Sequence, residues 1–429
     1  MTTLRVDFTV ALRLVFAVAL LLAVAGTADH LRAQSGRALA LVGATMIDGT
    51  GAPPLADAVI IIQNGRISAV GRRSEVVIPE GAERKDLAGL TILPGLIDSH
   101  VHITFALIRG GLNDPQADAI INGVLREFLR NGVTAIRDVG AAYPWIVDLA
   151  HSVEEGRREG PRIFAAGPIL TAPGGHPAAT LLRGNQLAIA AGTRQLTSPE
   201  QARTVVHDLA AGGVDAIKAV LDSRGRSNSP ERVPTLDAPV LSAIVEEARA
   251  VSLPVTVHWG NVDELPVIVA ARPAQIEHSG YAPIPAPLIA QIVRAGIVVD
   301  PTLAIMQASI PSADEFARGP LENVRRLREA GVVITAGTDS PLGNLHFGES
   351  LHHELELLVK SGLSPMEAIQ AATSRPARLL KRGAEIGTIQ RGKRADLIAV
   401  GGDPLRAISD TRKIRLVMRD GRVVEERHE

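Results

Sequence analysis

Two of the chain's 12 histidines, His100 and His102, stand one residue apart in "LPGLIDSHVHITF". Residues i and i+2 of a strand share a face, so both imidazoles point to one side of whatever strand carries them. Two neutral imidazoles so placed offer a chelate for a divalent metal. A pair of partly buried structural histidines is the plainer alternative. Four other apolar runs carry or end in residues of related chemistry: Lys218 in "AIKAV", His258 in "VTVHWG", His278 in "IEHSG" and Asp339 in "AGTDS". Taken singly, His258 and His278 read as hydrogen-bonded core histidines and Asp339 as a helix cap. A protonated lysine has three donors and no acceptor, so Lys218 cannot ligate a cation as it stands. A salt bridge or a substrate-phosphate contact would suit it. Three further strand-end residues of the right type nevertheless move the histidine pair well towards metal binding.

The elements that must position these residues alternate. Eight strand-like runs lie at "TILPGLIDSHVH", "AIRDVG", "RIFAAGPIL", "AIKAV", "PVTVHWG", "AQIEHSG", "IVVDPTL" and "VVITAGTDS", with helical patterns such as "ADAIINGVLREFLRNG" and "PVLSAIVEEARAVS" between them. Ser198-Pro199 opens one helix as a cap followed by proline. Eight strand-then-helix units predict a TIM-like (β/α)8 barrel, whose active residues sit at the C-terminal ends of the strands. His100, His102, Lys218, His258, His278 and Asp339 fall at the ends of the first, fourth, fifth, sixth and eighth. A doubly wound open sheet is the runner-up, but no GxGxxG follows a strand. Both chain ends are β-rich, with hairpin turns expected at Asn64-Gly65 and Asp420-Gly421. The expected organisation is a small β-sandwich from residues 36–90 and 385–429 around a barrel over 91–384.

Composition limits the partners. Among 429 residues the formal net charge is -1 and aromatic residues are 3%, which argues against nucleic acid and against base-stacking platforms. Arg5 and Arg13 precede the apolar run "LVFAVALLLAVAG", and small residues follow it. This reads as a signal peptide over 1–33, cut after Ala28 or after Ala33, and predicts a secreted or periplasmic protein with no membrane attachment once cut. With no cysteine, disulfides and thiolate ligands are excluded, and an exported chain must rely on its core and on bound metal.

The joint pattern resembles the amidohydrolase superfamily: HxH on the first strand, lysine on the fourth, histidine on the fifth and sixth, aspartate on the eighth. "GVDAIKAV", "IEHSG", "AGTDS" and "IGTIQRGKRADLIAVGGDPL" are similar to the imidazolonepropionase-like subgroup, which includes metal-dependent Xaa-Pro dipeptidases. The resemblance covers roughly residues 38 to 425. It implies two divalent metals, zinc being the best match to histidine and carboxylate ligands. His100, His102 and Asp339 would hold the more buried cation and His258 and His278 the more exposed one, with Lys218 bridging them as an N-carboxylated lysine. It implies hydrolysis of an amide or peptide bond in a small substrate, a dipeptide or N-acyl amino acid, by a hydroxide bridging the cations, with Asp339 moving the proton. Cyclic amides, lactones and phosphotriesters are alternatives, and a non-catalytic scaffold a remote one. A homo-oligomer is expected. His176 in a "GGHP" loop, Tyr281, and His346 in "GNLHFGES" are candidate substrate contacts. Asp98 could support the histidine pair from the same strand, or hold only the strand end. His352 and His353 are expected to be structural.

Overall fold

The computed structural model describes residues 37–107, 115–224 and 232–427. The expected signal segment lies outside them. No helix among the described residues is long and apolar enough to cross a membrane. Five strands open the chain: β1 (Leu39–Met46), β2 (Leu55–Gln63), β3 (Arg66–Arg72), β4 (Glu83–Asp86) and β5 (Leu90–Pro94). Nine follow in the middle: β6 (Leu96–Val101), β7 (Val133–Asp138), β8 (Arg162–Ala165), β9 (Ile169–Thr171), β10 (Thr193–Gln195), β11 (Ile217–Leu221), β12 (Val255–Trp259), β13 (Gln275–Glu277) and β14 (Val298–Asp300). The last three are β15 (Leu397–Gly401), β16 (Ile414–Arg419) and β17 (Arg422–Glu426).

Both chain ends build one mixed sheet, in the order β17-β16-β15-β5-β1-β2-β3 with β4 beside β1. Its two hairpins turn where expected. Asn64 and Gly65 take φ of 51° and 76° and Asp420 and Gly421 take 48° and 75°, the left-handed pair that a type I′ turn needs. Asp420 does more than turn the chain. It bonds Arg162 of β8 (3.1 Å) and Arg394 (2.9 Å), while Arg394 also meets Glu154 (2.8 Å). This charged cluster ties the terminal sheet to the side of the middle region.

The middle strands pair in parallel as β6-β7-β8 and β10-β9-β11-β12-β13-β14. Helices such as Ala117–Arg130, Pro199–Ala211, Ala238–Ala250 and Ala286–Ala295 return the chain between them. The helix Ala117–Arg130 buries Ile121, Val124, Leu125, Phe128 and Leu129, spacings of three and four that line one face against the strands. Ser198 caps its helix by accepting from the backbone N–H of Gln201.

Three expected strands differ. "TILPGLIDSHVH" breaks at Gly95 into β5, which joins the terminal sheet, and β6, which pairs with β7. "RIFAAGPIL" breaks into β8 and β9, because Gly167 turns the chain at φ 71° between them. "VVITAGTDS" forms isolated bridges rather than a regular strand. Its backbone still bonds both neighbours, Thr335 N–H to Val299 O (3.0 Å) and Asp339 N–H to His100 O (2.8 Å). The irregularity follows from crowding: a Cβ on Gly337 would lie 2.5 Å from His100 Cβ and 2.6 Å from Asp300 Oδ2, and Asp339 sits at φ 65°.

Candidate metal centre

Six side chains meet at the C-terminal ends of these strands. β6 delivers His100 and, just past its end, His102; β11 delivers Lys218 and β12 His258. His278 follows β13, and Asp339 follows the bridging segment. All six line a single pocket. His100 Nε2 lies 3.3 Å and His102 Nε2 3.2 Å from the same Asp339 oxygen, Oδ1. His278 Nε2 lies 2.6 Å from His258 Nδ1. Ligand atoms of His100, His278 and Asp339 fall within 4.8 Å of one another, a spacing that one cation can gather.

Each imidazole is held by its other nitrogen. His100 Nδ1–H donates to Glu277 Oε2 (2.8 Å) and His102 Nδ1–H to the Gly140 carbonyl (3.0 Å). His278 Nδ1 bonds Thr302 Oγ1 (2.7 Å), and His258 Nε2–H donates to Asp222 Oδ2 (3.1 Å). Partners of this kind fix tautomer and ring orientation, and they leave the remaining nitrogens free to converge. Four rings thus turn their remaining nitrogens inward from two strands and a turn.

Backbone conformation serves the same end. His278 and Asp339 adopt φ of 66° and 65°, a region that non-glycine residues enter at a cost of about 1–3 kcal/mol. The turn at His278 cancels strand alternation, so Glu277 and His278 both reach the site from adjacent positions.

The electrostatics are dominated by buried charge. Burial and Lys218 push the His100 imidazole down, but Glu277 and Asp339 outweigh them and lift it to about 9. Burial opposes ionisation of Asp339, yet His100 and His102 hold its carboxyl well below the usual range. Lys218 is 2% exposed, and its Nζ makes no hydrogen bond. Burial lowers its pKa against the pull of Glu277 and Asp339. An orphaned buried amine amid imidazoles and a carboxylate fits a group that is modified or bound to a cation, and the donor set as a whole fits divalent metal.

The candidate substrate contacts divide. His176 is buried, lines the pocket and stacks on His258 with ring centroids 4.9 Å apart. Burial, then His258, lowers it to about 3, so it is neutral near pH 7. Tyr281 also lines the pocket. His346 does not: it is exposed, and its backbone N–H donates to Ser350 Oγ (2.9 Å) ahead of the helix Glu349–Lys360. His352 is buried between Thr411 and Asn131, a structural position. His353 meets Gln307. Asp98 holds backbone instead of an imidazole. It accepts from His100 N–H (3.2 Å), Thr338 N–H (3.1 Å) and Thr338 Oγ1 (2.8 Å), stitching β6 to the segment before Asp339.

Sequence reading missed Glu277 and Asp222. Glu277 is fully buried and shared by His100 and Arg137, whose Nη2 donates to Oε1 (2.9 Å). Its signal, a carboxylate inside the apolar run "AQIEHSG", was visible. Alternation hid its role, because it predicts that neighbours on a strand face opposite ways. For Asp222 the pattern was favourable: Lys218, Val220 and Asp222 alternate and all line the pocket.

Inward imidazoles and a carboxylate at parallel-strand ends make a donor set for divalent metal. The chain belongs to the amidohydrolase family, whose model matches residues 91–424. It is 26% identical over 379 residues to the imidazolonepropionase of Nocardia farcinica, an alignment spanning 80% of this chain and 85% of that protein. Among solved structures it resembles a Xaa-Pro dipeptidase with bound methionine in the active site (25% identity, TM-score 0.77, 90% of this chain and 100% of that one). It also resembles phenylurea hydrolase B (27% identity, TM-score 0.75, 90% of this chain and 97% of that one). The protein is a hydrolase acting on carbon–nitrogen bonds.

Proposed function

We propose that this chain is an exported amidohydrolase that uses two divalent cations, zinc by ligand type, to cleave an amide or peptide bond in a small substrate. The observation that carries the reading is the convergence of four oriented imidazoles on Asp339 and Lys218. His100, His102 and Asp339 would hold one cation and His258 and His278 the other, with Lys218 between them as an N-carboxylated lysine. Carboxylation joins the Nζ lone pair to carbon dioxide and releases one proton from nitrogen. It needs the neutral amine, which burial favours. A barrel running to residue 384 and a sandwich from both chain ends belong to the same reading, supported by the parallel strands and the terminal sheet; β5 in that sheet moves the expected boundary at 90 to Gly95. Export rests on the apolar leader of the sequence.

When bound, the cations supply Lewis acidity and lower the pKa of water towards about 7. Asp339, poised beside both His100 and His102, takes the proton of the attacking water and passes it to the leaving nitrogen. His176 and Tyr281 face the substrate across the pocket. Phe105, Ile169, Leu181, Ile305, Met306 and Leu342 supply a mostly apolar wall around this polar floor. Such a wall favours an amide carrying an apolar group and excludes bulk water from the reacting bond. A proline-containing dipeptide or an N-acyl amino acid satisfies both features, and an aryl amide or urea is the second choice, in line with the likeness to phenylurea hydrolase B.

Two measurements test this. Zinc-loaded protein is assayed against dipeptides, N-acyl amino acids, aryl amides, cyclic amides and lactones. Amine release from one of the first three classes is expected, and turnover of lactones alone would contradict it. In the Ile305→Ala variant the lost apolar contact, worth about 1–3 kcal/mol, should lower kcat/KM roughly 10-fold or more, chiefly through KM. An unchanged KM would remove Ile305 from the substrate wall.

A further inference from the structure

His258 is the least buried of the four imidazoles, its side chain 19% exposed against 8% or less for His100 and His102. It is also the one whose supporting carboxylate comes from a different strand-end loop. Asp222 lies just past β11, is 4% exposed, and sets its Oδ2 against His258 Nε2. Its other oxygen, Oδ1, accepts from the Arg224 backbone N–H (2.9 Å), which fixes the carboxylate plane. The His176 ring covers one face of His258 at an interplanar angle of 22°. The loops after β11 and β12 are bound to each other by Glu264, which accepts from Ser223 N–H (2.8 Å), Gly260 N–H (3.1 Å) and Asn261 N–H (2.9 Å). Gly260 makes the approach feasible, since a Cβ there would lie 2.4 Å from Asp222 Oδ1.

We propose that Asp222 is the positioning residue for the His258–His278 cation: by accepting the Nε2–H of His258 it fixes the tautomer that leaves the Nδ1 lone pair facing His278 Nε2. His100 and His102 have their own supports, Glu277 and the Gly140 carbonyl, so Asp222 acts on one half of the centre only. This rests on the two-cation reading above, and a wild-type control separates the two.

The test is zinc titration of metal-free full-length protein, followed by calorimetry and by metal content after dialysis at fixed free zinc. Wild type should take up two zinc ions; failure there overturns the two-cation reading itself. In Asp222→Ala the weaker of two binding steps should lose about 10–100-fold in affinity while the tighter one stays within threefold. Asp222→Asn should recover most of the loss, because its amide oxygen can accept the same N–H. Gly260→Ala, which pushes the carboxylate away without removing it, should reproduce the selective loss and decides the matter if Asp222→Ala does not fold. The proposal is overturned if wild type binds two ions and Asp222→Ala and Gly260→Ala bind them equally well, or if both steps weaken together. A zinc-bound crystal structure with an Asp222 oxygen about 2.0–2.2 Å from a cation would overturn it too, by making Asp222 a ligand.

Discussion

Replacing Lys218 with alanine is expected to cut hydrolysis severely and lower metal content in the same step. Lys218 projects from β11 into the middle of the cluster, buried, with an Nζ that no protein group satisfies. Its chemistry forbids ligation as an ammonium and permits it as a carbamate, whose two oxygens could reach both cations. Alanine leaves four imidazoles and Asp339 but removes the anionic bridge. The loss in kcat/KM should be on the order of 10³-fold, the scale of deleting one principal electrostatic contact in an active site. The two cations should fall to one or fewer per chain. Acetate or formate, small enough to enter the space left by the side chain, should restore part of both. Assay of the variant with and without these acids, beside metal analysis, checks all three expectations. A variant with wild-type rate and metal content would refute the carbamate bridge.

The second large effect is expected from Glu277→Ala, and it falls on stability as much as on activity. Glu277 is 0% exposed and lies between Arg137 (2.9 Å) and His100 (2.8 Å), both also buried. Arg137 keeps its bond from Nε to the Ser99 carbonyl (2.7 Å) but loses its only carboxylate among the described ion pairs. Breaking a buried ion pair by removing one partner costs about 3–5 kcal/mol, because the remaining charge stays desolvated. His100 also loses the acceptor that sets its tautomer, so affinity for the buried cation should fall about 10–100-fold. Denaturant unfolding of the metal-free protein reads the first effect without interference from bound metal, and zinc titration reads the second. Glu277→Gln, which keeps the shape and loses the charge, should be intermediate in both. Stability within 1 kcal/mol of wild type for Glu277→Ala would mean that Arg137 finds another partner and that the triad does not anchor the site.

The sequence carried the site further than it carried the fold. His100, His102, His258 and His278 fall at or near the ends of recognisable apolar runs, and Lys218 stands out as the one charge inside "AIKAV", two strand positions before Val220 on the same pocket-facing side. Hairpins at Asn64-Gly65 and Asp420-Gly421 were legible for a local reason, since few other dipeptides accept two left-handed residues. The segment leading to Asp339 was legible as apolar but not as irregular. Its departure from strand geometry arises from His100 and Asp300 packing against Gly337, contacts made by residues distant in the chain. Glu277 was hidden by the left-handed turn at His278, and no pattern of alternation anticipates a residue that breaks alternation. His346 follows Asp339 closely in sequence, yet the chain leads it out to the surface before the next helix.

The central claim is that these six side chains form one two-cation hydrolytic centre. It is tested most directly by counting metal and activity together. Full-length protein is stripped with a chelator and titrated with zinc while amide hydrolysis is followed. The account predicts no turnover in the stripped protein, two ions bound per chain at saturation, and activity that rises only as the second ion binds. Full activity in the metal-free protein, or saturation of activity before the second ion binds, would contradict it.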